Sequence, residues 1–414
     1  MLLYENKKAK LMNFLKLGLN PFKKFVSTGE IEEESDFVKS RKNLLESLKE
    51  TIERDENFIF PVIGDVGTGK THLFWALKNK LYYHNTIYIS LEKVSNKFFY
   101  NTYSEFVEAI GVEPLRNIVN QLCNEWGALE RRFGFFHVVD IEKVRKAAFE
   151  KLSTKFEPSE RSALIDIING ITTHQLDPYK KIEAEGWLLG ELMNVRELSR
   201  LSLMHDLRNS KTAFTMLKLM IENSKLGTVI FIDDFEKVIT MIKPIEEGKD
   251  LEDIEEVFDP KWLYGNKPRP ETIVSEKVIH KILKLNQIKG LRIIITLNSL
   301  SSLEEIKKII HDIDTDSIIK FMEPVFLREF DADDTLEFYQ NNMRIFLENI
   351  KFVETYEESF DKFFPLNEKI LRNIHKNAKG NPREIIKILI KIFNQIMFSD
   401  EKLEEIVLSY EEAY

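Results

Sequence analysis

The stretch Gly64-Asp65-Val66-Gly67-Thr68-Gly69-Lys70-Thr71 fits the pattern G-x-x-x-x-G-K-[ST], and its position constrains the chain more than any other feature. It follows the short apolar run Phe58-Ile59-Phe60-Pro61-Val62-Ile63, so a buried strand must turn through glycines into a helix that starts near Lys70. Glycines let the backbone wrap an anion without Cβ clashes, and successive amides together with the positive end of the helix then face phosphates. Lys70 is placed to put a point charge at β- and γ-phosphates, and the Thr71 hydroxyl to ligate Mg2+. Pro61 cannot donate a ladder hydrogen bond, so its nitrogen is expected to face a gap or the strand's end.

Around this loop the pattern alternates strand and helix. Phe37 to Ile52 repeats apolar residues at steps of three and four and reads as a helix. Thr86 to Ser90 reads as a second strand, so strand, helix and strand follow in βαβ order. From about 95 to 225 the periodicity is helical, a large insertion. Strand character returns in Thr228–Ile232 and Leu291–Thr296, continuous apolar runs of the kind buried on both faces of a parallel sheet. The Pro- and acid-rich stretch 243–272 reads as a long excursion between them, and everything beyond about 330 as helix. The expected organisation is a basic amino-terminal helix in 1–35, an α/β domain in 36–330, a small all-helical domain in 331–396 and an acidic tail in 397–414. In the first of these, Leu11, Phe14, Leu15 and Leu19 at helical spacing are expected to pack on the next domain with the lysines in water.

Composition bounds the partners. With 59 Lys+Arg against 68 Asp+Glu, net charge −9, the chain cannot coat nucleic acid by charge alone, so any such contact is local. The single Cys123 excludes an internal disulfide and a CxxC metal site and is expected as a buried apolar side chain in a reducing, cytoplasmic compartment. No apolar run approaches the length of a membrane span, and no membrane partner is expected.

A phosphate cradle needs a metal partner from another strand. Val229-Ile230-Phe231-Ile232-Asp233-Asp234 supplies it: an apolar strand ending in two acids, resembling a Walker B element. By the mechanics of P-loop enzymes Asp233 holds Mg2+ and Asp234 polarises the attacking water, with Glu236 as a substitute for the short Asp234. The next strand ends in Thr296-Leu297-Asn298, an amide placed to position that water. Further on, Gly380-Asn381-Pro382-Arg383 opens an amphipathic helix with Pro382 in its first turn, which sets Arg383 near a helix start.

In this order the motifs resemble AAA+ ATPases of the origin-recognition-complex-like and archaeal group, over roughly 36–396. Asn298 is similar to their sensor 1 and Arg383 to their sensor 2 arginine. Gly64-Asp65-x-Gly67-x-Gly69-Lys70-Thr71-His72-Leu73, with Trp187-Leu188-Leu189-Gly190-Glu191 ahead of the acidic strand, is similar to BREX-type ATP-binding proteins. The resemblance implies an α/β P-loop NTPase of AAA+ type with a parallel sheet, a large helical insertion and a small helical lid, an ATPase using ATP and Mg2+. It adds His72 to the nucleotide-binding residues, and it carries Phe37 and Val38, within Phe37-Val38-x-x-Arg41, over as adenine-side residues. Two departures qualify it. No arginine stands between Arg292 and Arg328, where ring-forming relatives keep a finger, leaving Lys320, Arg328, Arg196 and Arg200 as stand-ins. No winged-helix segment is expected after the lid. Two functions are therefore expected to compete. One is an ATP-hydrolysing protein coupling lid closure to a DNA transaction or a defence-type process, with DNA met by the insertion, by Lys267-Pro268-Arg269 or by the basic amino terminus. The other is a slow-turnover ATP-loaded switch that recruits a protein partner through the insertion. A homo-oligomer or a partner protein is expected in either case.

Overall fold

The computed structural model describes residues 9, 11–13, 15, 17, 20–23, 38–91, 97–128, 140–240, 270–313, 319–349 and 362–412. Helix α1, Lys39–Arg54, buries Leu45, Leu48 and Ile52 at the three- and four-residue steps of its apolar stripe. Asn57 turns the chain with φ 55°, its amide donating to the carbonyls of Asn286 and Ile288. Strand β1, Phe58–Ile63, follows and is buried at every position. Helix α2, Lys70–Lys78, and strand β2, His84–Ser90, complete the βαβ unit.

Among the described residues seven α-helices precede the next strand: α3 Phe98–Ile110, α4 Val112–Cys123, α5 Ile141–Leu152, α6 Arg161–Leu176, α7 Lys181–Leu188, α8 Val195–Arg200 and α9 Ser210–Glu222. Among the described residues between 95 and 225 there is no strand. Trp187 is fully buried and its indole N–H donates to the His205 carbonyl at 3.1 Å, while the Tyr103 hydroxyl donates to Leu188 O at 2.6 Å, so both large aromatics keep their polar ends partnered. Cys123 is buried, and burial pushes its thiol up to about 11.

Strand β3, Gly227–Asp233, is followed by the short α10, Lys237–Thr240, and later by α11, Pro270–Asn286, and β4, Leu291–Leu297. Most of the expected excursion lies outside the described residues. Its final residues are helical instead, because α11 opens on Pro270, and a proline fits a first helical turn where its missing N–H costs nothing. Helix α12, Leu300–Ile313, leads to a two-residue strand, β5, Val325–Phe326. The carboxyl-terminal helices are α13 Ala332–Asn349, α14 Glu368–Ala378, α15 Pro382–Phe398 and α16 Leu403–Glu412. The stretch expected as an acidic tail therefore carries a helix, and Ile406 and Tyr410 are buried.

The sheet is parallel and five-stranded, in the order β2-β3-β4-β1-β5. Register runs His84 opposite Gly227 to Ser90 opposite Asp233, and Thr228 opposite Leu291 to Ile232 opposite Ile295. β3 and β4 are buried along nearly their whole length, as unbroken apolar runs in a parallel sheet require. β5 is an edge strand too short to leave a period in the sequence. It also explains Pro61. Ile59 and Ile63 bond toward the β5 side, through Lys320 O to Ile59 N at 3.0 Å and Leu327 N to Ile63 O at 2.7 Å, so Pro61 turns its nitrogen the same way. Pairing on that side lapses between Ile59 opposite Phe321 and Val62 opposite Val325, where the register slips by one residue.

The chain forms two compact units, and β1 contributes to both. One comprises Met1–Arg54, Val62–Leu81 and Pro324–Tyr414; the other comprises Asp55–Pro61 and Tyr82–Glu323. The first has its core among α13 to α16, into which the amino-terminal segment inserts Leu11, Leu15 and Phe22. Phe22 stacks on Tyr339 at 5.7 Å, and the Asn20 amide donates to Ile390 O at 3.3 Å and to Asn394 Oδ1 at 3.0 Å. The second unit holds the insertion and the strands β2, β3 and β4.

Candidate functional site

The loop between β1 and α2 shows why its glycines are there. Gly67 and Gly69 have φ of 90° and 103°, a left-handed conformation that side chains rarely adopt. A Cβ on Gly69 would meet nothing within 4 Å, so there it is conformation that demands glycine. Gly64 is required for closeness, since its Cβ would lie 2.8 Å from Leu327 O.

The carbonyls of this loop are held one after another. Lys70 Nζ donates to Gly64 O at 2.5 Å and Asp65 O at 3.3 Å. The Asn381 side-chain amide donates to Val66 O at 2.9 Å, and the Arg383 backbone N–H to Gly67 O at 3.2 Å. Arg41 donates to Thr68 O at 3.3 Å and also to Arg328 O, with its guanidinium 5.5 Å from the centroid of the Phe330 ring. Because C=O and the next N–H of a trans peptide point opposite ways, anchoring five successive carbonyls turns the following amides toward the other side of the loop. Thr68 N donates to Asp65 O at 3.2 Å within the turn, and the loop runs directly into the start of α2.

Of the residues expected to bind phosphate, Thr68 and Lys70 are buried, Gly67 and Thr71 half-buried, and Asp65 and Val66 exposed on the rim. Burial pushes the His72 imidazole below its ordinary range, favouring the neutral form. Val38 is buried in the helical core of the same unit; Phe37 lies outside the described residues. Gly380, with φ 74°, ends the turn after α14, and Asn381 caps α15 by accepting from Arg383 N and Glu384 N at 3.1 and 3.3 Å. The Arg383 side chain is exposed, with its Cβ 2.9 Å from where a Gly67 Cβ would stand.

In the second unit the acidic pair divides. Asp233 closes β3 and is buried, its Oδ1 accepting from the Thr296 hydroxyl at 2.5 Å and its Oδ2 from the Tyr88 hydroxyl at 2.8 Å. Asp234 has φ 53°; its amide donates to Asp233 Oδ1 at 3.1 Å and to Thr296 Oγ1 at 2.9 Å, and its Oδ2 is 3.1 Å from Lys237 Nζ. Glu236 accepts from the Asn298 side-chain amide, and its other carboxylate oxygen is shut off from solvent. The short distance in sequence from Asp233 to Glu236 thus hides three environments: oriented by hydroxyls, paired with a cation, and held by an amide.

Among the described residues no cluster of three or more His, Cys, Asp or Glu is gathered to hold a metal. The Thr71 hydroxyl and the Asp233 carboxylate are each hard oxygen donors of the kind Mg2+ takes, a cation that keeps most of its octahedron for phosphate and water. The stand-ins for a missing arginine finger have other duties or none. Lys320 pairs with Asp55 at 2.8 Å and Arg200 with Glu183 at 2.9 Å, and Arg196 is exposed. Arg292 itself is buried, donating to Asp55 O and Gly290 O.

Arg41, Asn381, Tyr88 and Thr296 are the residues a reading of motifs passes over. Arg41 and Asn381 lie within quoted motifs, and Thr296 is two residues before the motif amide, but a side chain aimed at a backbone carbonyl, or at a carboxylate on another strand, leaves no spacing to read.

No protein-family model and no curated protein matches the chain. Among solved structures it is similar to the Walker-type ATPase PABY2304 of Pyrococcus abyssi, with 12% identity and a TM-score of 0.42 over 95% of this chain and 75% of that one. It is also similar to the ORC2 protein of Aeropyrum pernix in its ADPNP–ADP complexes, with 12% identity and a TM-score of 0.42 over 92% of this chain and 70% of that one. With its glycine loop leaving β1 of a parallel five-stranded sheet, its acidic pair at the carboxyl end of β3 and its helical carboxyl-terminal region, the chain has an α/β fold built on a parallel sheet.

Proposed function

We propose that the protein binds ATP with Mg2+ and hydrolyses it to ADP and phosphate. The observation that carries this reading is the row of five anchored carbonyls from Gly64 to Thr68, in a glycine loop that runs into the start of α2 at Lys70 and Thr71. A glycine loop held in this way at the positive end of a helix suits the phosphates of a nucleotide, whose charge its amides and the helix end would meet. In this reading Lys70 leaves Gly64 O and Asp65 O for the β/γ-phosphates, Thr71 and Asp233 supply the oxygens for Mg2+, and Arg383 reaches the phosphates from the start of α15. When bound, Mg2+ would neutralise charge on the phosphates. The attacking water falls to a carboxylate after β3, Asp234 by the motif or Glu236 as the substitute, with Asn298 orienting it.

Hydrolysis coupled to closure of the helical lid would serve a DNA transaction or a defence-type process, in a homo-oligomer or with a partner protein. The Lys267-Pro268-Arg269 segment and most of the amino-terminal lysines lie outside the described residues. No described helix is long and apolar enough to cross a membrane. One observation favours the slower alternative, an ATP-loaded switch recruiting a protein through the insertion: Asp234 Oδ2 is 3.1 Å from Lys237 Nζ, so the carboxylate that the motif assigns to the water is engaged with a cation.

Steady-state phosphate release, measured with and without DNA and at several protein concentrations, tests the pair of readings. Rapid, DNA-stimulated turnover abolished by Lys70→Ala supports the motor. Tight ATP retention with negligible release supports the switch. Absence of any Mg·ATP binding by calorimetry sinks both.

A further inference from the structure

Asn381 does two things with one side chain. Its Oδ1 accepts from Arg383 N at 3.1 Å and Glu384 N at 3.3 Å, capping α15, while its Nδ2 donates to Val66 O at 2.9 Å. The very next carbonyl of the glycine loop, Gly67 O, takes the Arg383 backbone N–H at 3.2 Å. The side-chain space missing at Gly67 is occupied by the same two residues, since a Cβ there would fall 2.6 Å from Asn381 Oδ1 and 2.9 Å from Arg383 Cβ. The first turn of α15 is therefore seated on the outer face of the loop. Asn381 is the residue that joins the helix's own capping to that seat.

We infer that Asn381 is a positioning residue for the phosphate loop: it fixes the loop from outside, so that the amide nest is formed before any ligand arrives and the seat of α15 follows the loop's conformation. Three of the five carbonyl anchors, those from Asn381, Arg383 N and Arg41, do not involve Lys70. When Lys70 swings to a phosphate, Gly64 O and Asp65 O lose its donation, and these three anchors keep the curvature of Val66 to Thr68. A preorganised nest binds more tightly because the ordering of the loop is not charged to the ligand. The same bonds carry information the other way, because a loop that tightens around a phosphate pulls on Val66 O and Gly67 O and hence on the first turn of α15. This deepens the ATP reading and rests on it for the ligand, but not for the latch itself.

The test separates capping from latching. Ser and Asp cap helices about as well as Asn but have no Nδ2 to give Val66 O, and Ser brings no charge. Asn381→Ser is expected to keep the melting temperature of the wild-type protein. Its affinities for Mg·ATP and Mg·ADP are both expected to fall about five- to tenfold, the worth of one hydrogen bond to the cradle. Amide hydrogen exchange at Val66 to Gly69 is expected to quicken in the ligand-free variant. Asn381→Asp should behave alike and, with its added negative charge, bind more weakly still. Asn381→Ala should also lose melting temperature, since it has no cap. Unchanged exchange at Val66 to Gly69 together with wild-type affinity in Asn381→Ser overturns the latch, and leaves the ATP reading intact if wild type binds nucleotide and Lys70→Ala does not. Should wild type bind no nucleotide, the ATP reading fails, and the exchange measurement alone decides the latch.

Discussion

The three carboxylates that follow β3 differ in what each has left to offer. Asp233 is oriented from both sides by hydroxyls of Thr296 and Tyr88, a geometry suited to holding a metal's water and not to moving a proton. Asp234 adopts a left-handed backbone and pairs with Lys237 three residues on, while Glu236, one methylene longer, is steered by Asn298. Turnover in Glu236→Gln is therefore expected to fall at least tenfold further than in Asp234→Asn, with nucleotide affinity kept in both; the reverse ranking in steady-state assays returns the base to Asp234. A second residue-level expectation concerns pH. His174 is buried in α6, and burial foremost lowers its pKa from 6.5. A histidine that resists protonation only when folded stabilises the protein above its unfolded value, and that contribution drains away as pH falls through 6.5 toward the folded value. Melting curves between pH 8 and about pH 5 should show the loss, and His174→Gln should flatten it.

At the scale of elements, the turn from α14 into α15 bears the most on the site. Gly380 holds φ 74°, and a Cβ there would collide with the Phe330 carbonyl, whose own residue donates its N–H to Gly380 O at 2.8 Å. Gly380→Ala should cost about 1–2 kcal/mol for the left-handed backbone alone, with the collision added. The expected readout is a lowered melting temperature accompanied by weaker nucleotide binding, because the same turn delivers Asn381 to Val66; a variant that melts like wild type would show the turn to be slack. The helices around it were largely visible in sequence. Pro382 and Gly380 mark the start of α15, and the apolar steps Ile385, Ile386, Leu389 and Ile392 are all buried. Neither the short β5 nor α16 was visible: two residues make no period, and the acidic face of α16 masks the two side chains, Ile406 and Tyr410, that bind it to the core.

For the whole molecule, the division into units matters more than the order of motifs. The phosphate loop and α2 belong with the carboxyl-terminal helices and the amino-terminal segment, while Asp233, Asn298 and the insertion belong to the other unit. Mg·ATP at a hundred times its dissociation constant is expected to add about 2.7 kcal/mol, read as a rise in melting temperature that shrinks when Mg2+ is chelated. An unchanged melting temperature under those conditions would mean that the nest takes no nucleotide. What the sequence determined by itself was local: a strand turned by glycines into a helix, three apolar runs able to lie side by side, a proline and an asparagine opening the last long amphipathic helix. Each follows from neighbours in the chain, whose spacing records backbone conformation and burial. Only the tertiary structure decided which donors hold the loop, Arg41 from 27 residues away and Asn381 from 315, and that Leu11, Leu15 and Phe22 close the core of α13 to α16. A carbonyl accepts a hydrogen bond from any donor the fold brings to it, and an apolar surface accepts any side chain of the right shape, so neither partnership leaves a pattern along the chain.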